Sequence, residues 1–382
     1  MVKGLVATLC LLAASLANAD THLGPRLVQE EVRVPSLNGK YTLAATILRP
    51  EGAGPFGAVV LNHGTPGSAS GRARESTELL MNSAAVFARR GYVVVMPLRR
   101  GFGATGGEFA EDPGTCANPD YRKGEHNAAD DVMAAYNFAR TLSYVDGNRM
   151  ILAGQSAGGM VSMYTAGTRN PEGLVAVLSF AAGRGGNPDF RPGVPCAIEP
   201  VAKLLESVGK NVRVPVLFHY AQNDLYFNEQ TTRLWYDRFT AAGAKAEYVL
   251  QPSFGRDGHY IFSEVLGVRY WLPAVEQFLG KHNIPFERLD AAQPIQAVER
   301  VPHVRTDACR NLYRAFLESP GPRAYAVSGD GRCGFAGGLA DAADIAVREC
   351  RTNAKEACSL YAVDGDVVWM PDGKGTAYAG GK

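Results

Sequence analysis

Short, unbroken apolar runs recur through most of this sequence and alternate with helical stripes. Gly57 to Asn62 and Tyr92 to Pro97 are apolar at nearly every step. A strand tolerates that only when helices cover both of its faces. Met150–Ala153, Leu174–Phe180, Val214–Tyr220 and Glu247–Leu250 continue the series, and Thr42–Leu48 alternates like a half-buried strand before Pro50. Between these runs, Ala128, Val132, Ala135, Ala139 and Leu142 recur at steps of four and three, and Leu80, Ala84 and Phe87 do so before Gly91. The pattern predicts an α/β fold: a mostly parallel sheet of about eight strands, led by an antiparallel pair, with helices on both faces.

Residues 1–19 read as an export signal, with Lys3 as the charged start, an apolar stretch from Leu5 to Leu16, and cleavage after Ala19. The 382 residues carry 39 Lys+Arg and 38 Asp+Glu, so removal of Lys3 leaves a charge-balanced chain. Balance gives no electrostatic reason to expect nucleic acid or an anionic membrane as partner. No second apolar run reaches membrane length, and the expected location is secreted or periplasmic. Without Cys10, six of the seven cysteines remain, which an oxidising compartment would pair. Six cysteines allow 15 pairings; Cys350 and Cys358 lie close enough to close a short loop, Cys309–Cys333 would then staple the C-terminal segment, and Cys116–Cys196 would join two loops. No C-x-x-C or helix-face histidine pair suggests a metal.

The expected organisation is an α/β domain over 20–293, a linker over 294–302 and a small disulfide-bonded α+β domain over 303–382. The small domain reads as a helix, a hairpin, an alanine-rich helix and a hairpin around Asp364-Gly365. Two Gly- and Pro-rich loops, 106–123 and 181–200, are long enough to act as lids.

Gly154-Gln155-Ser156-Ala157-Gly158 supplies the chemistry. A strand leads into this G-x-S-x-G and a helix leads out, so the turn would strain the serine backbone and lift Oγ clear of the sheet. Leu61-Asn62-His63-Gly64-Thr65 follows an earlier strand and offers the N–H of Thr65 to an oxyanion, beside the N–H of Ala157. His63 itself lies before the serine and is expected to fix its loop. The order Ser, acid, His points to Asp224 after one strand and His259 after the next. Asp257 is the rival acid, but two residues from His259 is a poor place from which to orient the ring.

These motifs resemble the α/β-hydrolases, and within them the dienelactone hydrolase-like and prolyl oligopeptidase-like branches. Arg100-Gly-Phe-Gly-Ala-Thr-Gly-Gly107 and Asp130-Asp131 share in the resemblance, which spans about residues 28–285. It implies Ser156 as nucleophile, His259 as base and Asp224 as its orienter, with no cofactor. The chain departs from the dienelactone hydrolases proper, whose nucleophile is cysteine, and lacks the propeller of the prolyl oligopeptidases.

Gly101 to Gly106 spells G-x-G-x-x-G, but no helix opens after it, so a dinucleotide site is not expected. Arg100, Tyr226 and Tyr260 are candidate substrate-binding residues, with Phe227 and Trp271 as further aromatics; an ion pair is the commoner fate of Arg99 and Arg100. The expected function is an exported serine hydrolase acting on a small ester. The alternatives are a peptidase or amidase using the same triad on a short peptide, and a non-catalytic binding protein on a hydrolase scaffold.

Overall fold

The computed structural model describes residues 27–264, 267–289, 301, 303–319, 323–337, 342–352, 354–363 and 366–368. The expected export signal, Cys10, most of the linker and the Asp364-Gly365 turn lie outside these residues.

Eight strands form the larger sheet: β1 (Leu27–Pro35), β2 (Thr42–Pro50), β3 (Phe56–Asn62), β4 (Tyr92–Pro97), β5 (Val145–Gln155), β6 (Leu174–Phe180), β7 (Val216–Ala221) and β8 (Ala246–Gln251). Their order is β1-β2-β4-β3-β5-β6-β7-β8. Strand β2 runs antiparallel to both neighbours, and every pair from β4 to β8 is parallel.

The helices are α1 (Ala69–Ala73), α2 (Met81–Ala88), α3 (Tyr121–Thr141), α4 (Ala157–Arg169), α5 (Ile198–Gly209), α6 (Glu229–Ala241) and α7 (Val268–Lys281). Successive strand residues point to opposite faces. Val60, Val95, Leu152 and Val177 pack under α3–α6, whereas Val59, Val94, Ile151 and Leu178 pack under α2 and α7. That two-sided burial is why the runs had to be apolar throughout.

Helix α3 begins at Tyr121, ahead of Ala128, the first residue of the predicted stripe. Asp120 caps it, its carboxylate accepting the Lys123 N–H at 3.0 Å. The two long loops are shorter than expected, since α3 and α5 begin at Tyr121 and Ile198. Strand β5 also starts earlier, at Val145.

A second sheet of order β10-β9-β11-β12 is built from β9 (Arg323–Ser328), β10 (Cys333–Gly337), β11 (Cys358–Val363) and β12 (Asp366–Val367). Helices α8 (Asp307–Glu318) and α9 (Ala342–Arg351) accompany it. Tyr325 and Val327 pack with Tyr313 and Phe316 of α8, while Ala324 and Ala326 pack with Ala343 and Ala346 of α9. Ala221, Phe254 and Ile261 share the α9-side cluster, so the small unit abuts the end of β7 and the loop after β8. The disulfides are Cys116–Cys196, Cys309–Cys333 and Cys350–Cys358.

Candidate active site

Strand β5 ends at Gln155, α4 begins at Ala157, and Ser156 lies between them at φ 58° and ψ −124°. Serine rarely adopts a positive φ, and the neighbouring glycines are what make the turn possible. A Cβ on Gly158 would lie 2.0 Å from the carbonyl oxygen of Asn62, and one on Gly154 would lie 2.4 Å from the carbonyl carbon of Gly158. Alanine at either position would drive the elbow off the end of β3. The Ser156 N–H is held by the carbonyl of Phe180 at 2.9 Å, and its carbonyl accepts from Gly159 and Met160.

Asp224 follows β7 directly, and His259 lies in a short 3-10 turn, Gly258–Tyr260, after β8. Nδ1 of His259 is 3.1 Å from Oδ2 of Asp224 and 3.2 Å from Oδ1. Both residues are buried. The N–H groups of Tyr226 and Phe227 donate to Oδ1 of Asp224 at 2.8 and 2.9 Å, which fixes the carboxylate. Asp257 does a different job: its Oδ1 accepts the N–H of His259 at 2.9 Å and that of Leu225 at 3.0 Å, capping the turn. The histidine segment lies against the elbow, because the Gln155 side-chain amide donates to the His259 carbonyl at 2.6 Å. Oγ of Ser156 itself has no hydrogen-bond partner among the described residues, and both hydrogen bonds of the His259 Nδ1 go to Asp224.

The loop after β3 reaches the same place, with Gly64 packed near the Ser156 side chain: a Cβ on Gly64 would lie 3.3 Å from Cβ of Ser156. Neither the N–H of Thr65 nor that of Ala157 finds an acceptor among the described residues. His63 is buried, and burial first, then the Arg99 charge, lowers its pKa to about 3. Its Nε2 accepts the Arg99 N–H at 3.2 Å, so the proton resides on Nδ1, which donates to the Gly64 carbonyl at 2.6 Å. A neutral ring with both nitrogens engaged holds the loop and transfers no proton.

Among the candidate substrate contacts, Tyr226 stacks on His259 with ring centroids 4.0 Å apart, and its hydroxyl meets that of Tyr260 at 3.2 Å. Phe227 stands edge-on to the same imidazole at 5.5 Å. Trp271 does not line the site; it is buried with Phe87, Phe180 and Phe262 on the opposite face of the sheet. Arg100 is tied to Asp131, Nε to Oδ1 at 3.0 Å, and donates from Nη2 to the Asn127 carbonyl at 2.9 Å. A cavity of about 700 Å³ is lined by Arg100 with Tyr41, Thr105, Phe109 and Lys123, but not by Ser156, Asp224 or His259. Gly101 to Gly106 closes on itself through a Gly101 N–H to Gly106 carbonyl bond of 2.7 Å, holds a single 3-10 turn at Gly103–Thr105 and opens no α-helix. Among the described residues no cluster of three or more His, Cys, Asp or Glu could hold a metal.

In a buried chain of charges beneath Thr65, Arg99 makes the ion pair expected of it, but its partner and the rest of the chain carried no sequence signal. Arg99 pairs with Glu111, Glu111 with Arg184, and Arg184 with Glu125. Burial alone would raise the Glu111 pKa, but Arg99 and Arg184 hold it down at about 2. Burial raises that of Glu125, against the pull of Arg184. Only the placement of Cys116 and Cys196 in the loops carrying Glu111 and Arg184 hinted that these loops meet.

Residues 79–180, covering β4, α3, β5, the elbow and β6, match the family model of the prolyl oligopeptidase family. The chain has the α/β-hydrolase fold. No curated protein matches this chain. Similar solved structures include a Klebsiella pneumoniae protein described as a dienelactone hydrolase, 17% identical over 67% of this chain and 99% of that one, with a TM-score of 0.48. The acylaminoacyl peptidase of Pyrococcus horikoshii is 16% identical, over 69% of this chain and 43% of its own, with a TM-score of 0.47. An esterase of Pyrococcus furiosus is 12% identical, over 67% and 90%, with a TM-score of 0.47.

Proposed function

We propose that the protein is an exported serine hydrolase that cleaves small carboxylic esters through an acyl-enzyme on Ser156. The observation that carries this reading is the Asp224–His259 pair set against a serine held at positive φ between a strand and a helix. His259 takes the Ser156 proton at Nε2, since Nδ1 is turned to Asp224, and Oγ attacks the carbonyl. Nucleophile–base hydrogen bonds often tighten only when substrate fills the site. Asp224 orients the ring and stabilises the imidazolium. The N–H groups of Thr65 and Ala157 receive the oxyanion, and loss of one such donor typically costs about 3 kcal/mol of barrier. His259 then protonates the leaving group, and water repeats the cycle.

The domain limits that go with this reading are 20–293 and 303–382, joined by 294–302. Export is supported by the amino-terminal pattern ending at Ala19 and by the three disulfides. Among the described residues no helix is long and apolar enough to cross a membrane.

Turnover of p-nitrophenyl acetate by wild type and by Ser156→Ala tests the reading; equal rates would refute it. The match of residues 79–180 to the prolyl oligopeptidase family supports a second reading, in which the same three residues cleave short peptides. Chromogenic esters run beside aminoacyl anilides separate the two.

A further inference from the structure

Four buried charged side chains surround the loop after β3, and no step of the proposed reaction uses them. Glu111 is the centre. Its Oε1 takes the Nε of Arg99, while its Oε2 accepts Nη2 of Arg184 at 2.9 Å and the Thr65 hydroxyl at 3.2 Å. Arg184 reaches in two further directions, from Nε to Glu125 at 2.6 Å and from Nη1 to Oγ1 of Thr65 at 3.2 Å. Arg99 returns to the same loop, donating from Nη1 to the His63 carbonyl at 3.0 Å. The side chains of Arg99, Glu111 and Glu125 have 0% of their surface exposed, and that of Arg184 has 8%.

Such a chain is a poor way to gain stability, because desolvating charges offsets most of their attraction. Its strength is geometric. Two connections far apart in sequence, the one between β4 and α3 that carries Arg99 and Glu111 and the one after β6 that carries Arg184, converge on residues 63–65 and leave that loop one arrangement. The Thr65 hydroxyl donates to Glu111 and accepts from Arg184, so it is committed to the interior. The main-chain N–H of Thr65 remains without an acceptor.

We propose that Glu111 and Arg184 are positioning residues for the oxyanion-binding N–H of Thr65, holding that N–H toward Ser156 by gripping the side chain of the same residue. The inference rests on the serine-hydrolase reading above. A donor held for the oxyanion acts on the transition state and little on the bound ester, so its misplacement should slow the bond-making step and spare binding.

The test is a double-mutant cycle read by fluorophosphonate labelling of Ser156, resolved into a maximal rate and a binding constant. Thr65→Val removes the gripped hydroxyl. Arg184→Lys keeps the charge but cannot bridge Glu125, Glu111 and Thr65 together. Thermal unfolding identifies the folded variants. Each single change should lower the maximal rate about tenfold or more with the binding constant within about twofold, and the double variant should lose no more than the worse single. Thr65→Ser should recover most of the rate. Additive losses, a loss in binding alone, or a wild-type rate in folded Arg184→Lys would overturn the inference. If Arg184→Lys does not fold, Thr65→Val at the rate of Thr65→Ser overturns it instead. Wild-type protein that does not label at Ser156 sinks the hydrolase reading, and this inference with it; labelled wild type with additive variants sinks the inference alone.

Discussion

The carboxylate of Asp224 meets Nδ1 of His259 at 3.1 and 3.2 Å while two backbone N–H groups, from Tyr226 and Phe227, grip its Oδ1. The acid therefore cannot swing away from the ring. Asp224→Asn would keep the shape but favour the wrong imidazole tautomer, and is expected to lower kcat by about 10³–10⁴. Asp257→Asn, which can still cap the His259 turn through its amide oxygen, should leave kcat near wild type. Steady-state rates of the two variants decide it, and the reverse ranking would move the acid's role to Asp257.

The Tyr226 ring covers one face of His259, with an interplanar angle of 25°. Aromatic contacts of this kind contribute about 0.5–1.5 kcal/mol beyond area burial. Tyr226→Ala should therefore lower kcat by up to about tenfold, on the same scale of energy. Tyr226→Phe keeps the stack, loses only the hydroxyl contact to Tyr260 and should stay near wild type. Equal losses in both variants would show that the hydroxyl matters and the ring does not.

Cys116 and Cys196 lie 80 residues apart, so their bridge removes much loop entropy from the unfolded chain. In the chain-entropy account a closed loop of that size stabilises by roughly 4–5 kcal/mol. Replacing both cysteines by serine should lower the urea midpoint accordingly. An unchanged midpoint would mean that the two loops are held by the buried charges alone.

Burial raises the Glu75 carboxyl from 4.5 to about 7, with Arg99 pulling the other way. The folded protein thus binds this proton more tightly than the unfolded chain, and stability falls as pH rises from about 4.5 to about 7. Glu75→Gln should remove that slope. Its melting temperature relative to wild type should therefore rise between pH 4 and pH 8, and a constant difference would contradict the assignment.

Much of the fold was readable because its causes are local. The runs at β3 and β4 had to be apolar at every step to be covered on both faces, and the elbow had to carry glycine at 154 and 158, where a side chain would strike backbone. Other features depend on single contacts that leave no period. The start of α3 at Tyr121 follows from one carboxylate cap, and β5 starts at Val145 and runs through Asp146-Gly147-Asn148-Arg149, residues typical of a turn.

By itself the sequence determined the alternation of strands and helices and the strained serine between them, since both follow from neighbours along the chain. Only the tertiary structure brought Nδ1 of His259 within 3.1 Å of Asp224, the acid that chain order favoured, and let Glu111 and Arg184, 73 residues apart, share Thr65. Those pairings depend on where separate loops come to rest above the sheet, and hydrogen-bond reach of about 3 Å is a condition that spacing along a chain does not encode.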